Sequence, residues 1–149
     1  MDELTSLMQT FASATVDTLR RFGYMPPLAI FITPEGRYIP SVMFWRNDTE
    51  KDATFARARH IARTTAAAVV YVLDTWLMRH PSLEVPPSES AERGEAIVVL
   101  AFTPTTARAL IIPFTRDHRG RPTPLQPQWV ESPEIESRLD PWPQRTPPS

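Results

Sequence analysis

The chain has 149 residues, a formal net charge of −1 and no cysteine. Its length suits one domain with a buried core, and its balanced charge gives no general field that would recruit nucleic acid or an anionic membrane. The absence of cysteine excludes disulfides, thiolate nucleophiles and Cys-bound zinc. We find neither a signal-peptide pattern nor an apolar run of about 20 residues, so we expect a soluble, cytoplasmic protein with no membrane contact.

The first quarter of the chain predicts a helix followed by a hairpin. Apolar residues recur at helical spacing over 3–22, and Gly23 follows as a natural helix end. Apolar runs at about 28–33 and 37–45 then flank Pro34-Glu35-Gly36, which is typical of a tight turn between antiparallel strands. Pro40 has no backbone N–H to donate, so it places the second strand at a sheet edge or in a bulge.

A second helix is predicted after this hairpin, and three strands follow it. Asp48 or Thr49 is expected to cap the helix, whose apolar stripe runs from Phe55 to Thr65. Strands are predicted at about 67–73, 95–102 and 107–114, the last two joined as a hairpin. The predicted fold class is α+β: a mixed, mainly antiparallel sheet of about five strands with two helices, in the order α-β-β-α-β-β-β.

We divide the chain into a single α+β domain, residues 1–116, and a proline-rich tail, residues 117–149. The tail's composition is too polar to order itself alone, so we expect it to be partly disordered or docked on the domain or on a partner. A short helix is expected near 132–139. Large apolar residues within the tail are our candidate partner contacts: Trp129, Ile135, Leu139 and Trp142.

The predicted sheet has more apolar surface than two helices can cover. The later strands are apolar on both faces, as in sheets covered on both sides. Five strands at about 4.8 Å spacing expose roughly 48 Å of width over two faces, whereas two helices cover roughly 20 Å. We therefore expect a homodimer or another protein partner, with docking of the tail as a compatible alternative.

Motifs of common enzymes are missing. His60, His80 and His118 do not have metal-ligand spacing, and the sequence contains no nucleophile elbow or glycine-rich phosphate loop. Arg57, Arg59 and Arg63 suit the solvated side of an amphipathic helix better than a nucleic-acid contact, because no aromatic stacking partner accompanies them. We predict no metal, no cofactor and no nucleic-acid partner.

Residues 69–102 contain the polar residues that are the best candidates for a functional site. A strand ending in Asp74 and Trp76 is followed by a loop with Pro87 and Ser88, and then by Arg93 and Glu95 before the next strand. This pattern over residues 67–102 resembles a group of small bacterial and phage α+β proteins with no established activity. The resemblance implies a shared architecture and no particular function.

Two interpretations of the cluster stay open. If the two strands pair antiparallel, an arginine between two carboxylates would clamp the sheet end. Alternatively, the same side chains would line a pocket in which a buried carboxylate acts as acid or base. The candidate binding residues are Asp74, Trp76, Glu89, Arg93 and Glu95.

Together these observations favour a non-catalytic protein–protein interaction or assembly module that forms homo-oligomers. The alternative is a small-molecule binder or enzyme that uses the Asp/Arg/Glu cluster at residues 74–95.

Overall fold

The computed structural model describes residues 3–74, 95–131 and 137–143. Within them lie helices α1 (Glu3–Phe22) and α2 (Asp48–Thr65) and a short 3-10 turn (Ser137–Leu139). The strands are β1 (Leu28–Ile32), β2 (Tyr38–Val42), β3 (Ala68–Asp74), β4 (Glu95–Phe102), β5 (Ala107–Arg116), β6 (Pro122–Pro124) and β7 (Gln128–Glu131). Neither described helix is long and apolar enough to cross a membrane.

The strands form one antiparallel sheet in the order β2-β1-β3-β4-β5-β6, and β7 also pairs with β5. The α+β class is confirmed, but the expected count of about five strands is too low, because the described chain forms seven. The two additional strands come from the proline-rich tail. Ten-residue β5 offers a long outer edge, along which β6 pairs with Phe114–Arg116 and β7 with Arg108–Ile111. Short edge strands tolerate proline, and a segment that contains proline is not readily predicted as a strand from the sequence.

The β1–β2 hairpin forms as predicted. Gly36 has a φ of 86°, a left-handed conformation that glycine adopts without the steric cost of a side chain. The turn closes when Gly36 N donates to Thr33 O at 2.9 Å. Strand β2 lies at the edge of the sheet, as Pro40 predicted, and β1 connects it to β3.

Local signals at the helix ends fix both helices. Gly23, with a φ of 77°, ends α1 and donates its N–H to Leu19 O. The predicted cap of α2 was one or two residues too late, because Asn47 is the N-cap and its Oδ1 accepts from Glu50 N at 2.9 Å. Asparagine caps helices as well as aspartate does. Asn47 Nδ2 also donates to Glu50 Oε2 at 3.3 Å, so the cap lies one residue before Asp48.

Strands β3 and β4 are buried on both faces and divide the core into two layers. Val70, Val72, Ile97 and Val99 face α1, whereas Val69, Tyr71, Val98 and Leu100 face α2. Each face therefore has one helix above it, and two helices are narrower than a sheet of this many strands. Additional cover must come from segments outside the two helices.

Part of this cover is the C-terminal segment, residues 137–143, which lies on the α2 face. The side chain of Leu139 is 0% exposed within the core of that face, and Trp142 packs against its rim. Arg59 on α2 donates to the carbonyl of Arg138, and Arg138 lies over the ring of Phe55. In this structure Leu139 is thus a core residue of its own chain.

We predict that Leu139→Ala lowers the free energy of unfolding by about 2–5 kcal/mol, because it leaves a cavity between α2 and the sheet. Chemical denaturation followed by circular dichroism measures this change. Leu125→Ala is the matched control: Leu125 is 49% exposed, so its truncation should change stability by less than about 0.5 kcal/mol. Equal effects of the two substitutions would contradict the packing of residues 137–143 on the sheet.

Candidate functional site

A cluster of three charged side chains lies at one end of the sheet. Asp74 ends β3, Glu95 begins β4 and Arg116 ends β5. Asp74 lies opposite Ile97, and Glu95 opposite Phe114, in the antiparallel register. Because Ile97 and Phe114 belong to the core beneath α1, the three charged residues lie on that face.

Arg116 is the centre of this cluster. Its Nε and Nη2 donate to the two carboxylate oxygens of Glu95 at 2.7 and 3.2 Å. Its Nη1 donates to the carbonyls of Gly23 at 3.0 Å and Gly120 at 2.9 Å. The guanidinium therefore links β4, β5, the end of α1 and the turn after β5, with the bidentate geometry typical of strong arginine–carboxylate pairs.

Among the described residues, Arg116 is the arginine that clamps this sheet end. Arg116 binds Glu95, and both lie near Asp74; Arg93, the arginine named in the sequence analysis, lies outside the described residues, so its part in a clamp stays a prediction. The sequence analysis missed Arg116 because it ended the last strand at 114. Side chains alternate along a strand, so a strand that continues to residue 116 places Arg116 on the same face as Phe114. This alternation could have identified Arg116 from the sequence.

Asp74 is the group in this cluster with an altered acidity. The pKa of its carboxyl is raised to about 6, mainly by burial and also by the negative charge of Glu95, while Arg116 lowers it in part. A carboxyl group with this pKa exchanges its proton near neutral pH, which is a requirement for general acid–base chemistry. Proton exchange is therefore chemically available at this end of the sheet.

Several predicted site residues are not brought to this cluster. Trp76, Glu89, Arg93 and Ile135 lie outside the described residues. Leu139 and Trp142 lie on the α2 face, opposite the charged cluster. Within the described part of the chain, no group of three His, Asp or Glu side chains could hold a metal ion.

Trp129 lines a groove of about 1250 Å³ between α1 and the β6–β7 region. Its ring is 37% exposed, and the guanidinium of Arg108 stacks on it at 4.7 Å from the ring centre. Arg108 also donates to Thr5 Oγ1 on α1. Trp129 is thus held by contacts within its own chain while one part of its ring stays accessible.

A buried polar group on the α2 face escaped the sequence analysis. The hydroxyl of Tyr71 is fully buried and has no hydrogen-bond partner in the described part of the chain. Burial raises the pKa of this phenol, with nearby Arg59 lowering it and Asp140 raising it. A buried hydroxyl without a partner costs about 1–3 kcal/mol, so burial of the Tyr71 hydroxyl lowers the stability of the fold.

The largest exposed apolar side chains gather at the other edge of the sheet. We call Tyr38 and Val42, which share one face of β2, and Phe44, two residues beyond its end, the β2 surface; Tyr38 also contacts the ring of Phe11 on α1, and Ile39 is exposed on the opposite face. Val42 is 60% and Phe44 is 72% exposed. Phe22 and Tyr24, which precede β1, are also exposed. Isolated exposed apolar residues are ordinary in soluble proteins, but several on one short strand indicate an interaction surface.

Comparisons of the chain with protein-family models, curated proteins and solved structures find no match. The resemblance over residues 67–102 therefore stays a prediction.

We predict that Asp74→Asn stabilises the protein at neutral pH and has little effect near pH 4. The folded pKa of about 6 exceeds the ordinary value of 3.8, so ionisation of Asp74 removes folding stability as pH rises between these values. After allowance for partial exposure, the variant should gain about 1 kcal/mol relative to wild type between pH 4 and 7.

The measurement is urea denaturation across this pH range. Glu35→Gln, on the exposed turn between β1 and β2, is the control for loss of one acidic side chain. A stability difference between Asp74→Asn and wild type that does not change with pH would contradict the assignment.

Proposed function

We propose that the protein is a non-catalytic assembly module that associates with a second copy of itself through the β2 surface. The observation that carries this proposal is the exposure of Val42 on the edge strand β2 and of Phe44 two residues after its end. Burial of each such side chain is worth about 1.5–3 kcal/mol. Two symmetric copies would contribute four of these side chains to one contact.

The edge position supports the same proposal. One side of β2 pairs with β1, whereas no described strand pairs with its other side. An edge strand presents unpaired backbone groups along with its side chains, and both favour the addition of another strand. The β2 surface therefore combines the apolar and the hydrogen-bonding requirements of a protein contact.

The charged cluster supports a structural rather than a catalytic function for Arg116. Its donors bind Glu95 and two backbone carbonyls that belong to other parts of the fold. These contacts use four of the five N–H donors of the guanidinium, which leaves little capacity to orient a substrate. This arrangement favours the clamp interpretation of the sheet end.

We predict that Phe44→Ser raises the dissociation constant of the dimer at least about tenfold, because the contact loses a buried aromatic ring. Sedimentation velocity over a concentration series measures this constant. Leu125→Ser is the matched control, since it also removes an exposed apolar side chain, but far from β2. It should change the constant by less than about twofold.

A wild-type chain that stays monomeric at all concentrations would contradict the proposed function. Both variants should melt within a few degrees of wild type, because their side chains are largely exposed.

The alternative is a small-molecule binder at the sheet end, favoured by the partly buried Asp74 beside Glu95. Two carboxylates with one arginine leave a net negative site, which suits a small basic ligand. Thermal melting with millimolar aliphatic amines, from methylamine to spermidine, tests this alternative at pH 7.5. An increase in melting temperature that is absent in Asp74→Asn supports it, and no increase in wild type excludes these amines as ligands.

A further inference from the structure

The hydrogen bonds of the hairpin determine which backbone groups of β2 point away from the sheet. Thr33 N donates to Arg37 O, and Met43 N donates to Pro27 O. These are the hydrogen-bonded positions of the β1–β2 ladder, and such positions alternate along antiparallel strands. Tyr38, Pro40 and Val42 fall on the other positions. Their backbone groups therefore face the free edge of the sheet.

Pro40 makes this edge selective. It presents a carbonyl but no N–H, so a residue placed opposite it can donate a hydrogen bond but finds no donor for its own carbonyl. Proline on an edge strand commonly prevents edge-to-edge association for this reason. The consequence for a second copy depends on which residue is placed opposite Pro40.

In three symmetric antiparallel registers, Pro40 of one copy faces Pro40, Val42 or Phe44 of the other. In the first, Pro40 faces its own counterpart and two carbonyls oppose each other without a donor. In the second, centred on Ser41, Pro40 faces Val42 and the carbonyl of Val42 has no partner. In the third, centred on Val42, Pro40 faces Phe44. An unsatisfied carbonyl at a contact costs about 1–3 kcal/mol.

The third register avoids this cost because of a contact already present in the chain. The carbonyl of Phe44 accepts a hydrogen bond from Thr54 Oγ1 at 3.2 Å. Pro40 has no N–H to donate to the carbonyl of Phe44, but Thr54 on α2 already donates to it. The N–H of Phe44 has no hydrogen-bond partner in the described part of the chain, and it can donate to the Pro40 carbonyl of the second copy.

We propose that two copies pair antiparallel along β2 with Val42 of one copy opposite Val42 of the other. This inference rests on the proposed self-association and specifies its register. The pairing would place the two Val42 side chains next to each other and each Phe44 ring against a Pro40 ring. The most exposed side chains of the β2 surface would then lie at the centre of the contact.

The absence of cysteine makes this register directly measurable. In the proposed pairing the two Val42 Cα atoms are about 5.5 Å apart, within the range that a disulfide spans. Ser41 would be offset from its counterpart by about 7–8 Å, beyond that range. Tyr38 of one copy and Val42 of the other would be about 13 Å apart along the strand.

The experiment uses the full-length chain with single cysteines, oxidised glutathione and micromolar protein. Val42→Cys should form a disulfide-linked dimer, detected by intact mass, whereas Ser41→Cys should link at least about tenfold more slowly. A mixture of Tyr38→Cys and Val42→Cys chains should yield no mixed dimer above the level found in urea. Each variant is first confirmed as folded by circular dichroism.

Each other outcome overturns the inference in a distinguishable way. Faster linkage of Ser41→Cys indicates the Ser41-centred register, and a dominant mixed Tyr38–Val42 product indicates the Pro40-centred one. A wild-type dimer in sedimentation without linkage of any variant leaves self-association intact but removes β2 pairing. A wild-type monomer removes both proposals.

Thr54→Val provides a second readout of the same register. It keeps the size of the side chain but removes the hydroxyl that serves Phe44 O, so the dissociation constant should rise about tenfold. Thr64→Val is the control, because Thr64 Oγ1 bonds to a carbonyl of its own helix. An unchanged constant in Thr54→Val contradicts the role assigned to this hydroxyl.

Discussion

Burial of β3 and β4 on both faces is the constraint on which the rest of this structure depends. Side chains of these strands alternate between two cores, so the sheet is unstable unless both faces are covered. One helix lies over each face, and the α2 face also receives Leu139 from the C-terminal segment. The proline-rich tail has too few apolar residues to form a core of its own. It packs instead on apolar surface of the sheet that the helices leave uncovered.

The two edges of the sheet differ in how their unpaired backbone groups are treated. At β5, the chain pairs its own short strands β6 and β7 along a ten-residue edge. At β2, no described segment fills the edge, and a proline interrupts its row of donors. In the proposed pairing the missing donor of Pro40 is tolerated, because Thr54 already donates to the carbonyl of Phe44. The proposed self-association is therefore compatible with protection of the same edge against unspecific pairing.

The charged cluster illustrates how far sequence reasoning reached at the candidate site. Asp74 and Glu95 were expected to meet because each stands at the end of a strand that pairs antiparallel with the other. The partner arginine was sought among near neighbours, whereas Arg116 arrives from the next strand and also binds the carbonyl after α1. Contacts between residues distant in sequence depend on strand order, and strand order is not encoded by the periodicity of any single segment.

The sequence by itself determined the local elements: the two helices, the Gly36 turn, the edge position of Pro40 and the doubly buried strands. Each follows from side-chain spacing or from the backbone limits of glycine and proline. Only the tertiary structure decided that the tail contributes two strands and Leu139, that Arg116 binds Glu95, and that Thr54 serves Phe44. Those outcomes depend on which surfaces remain uncovered after the local elements pack, a property of the assembled sheet rather than of any one segment.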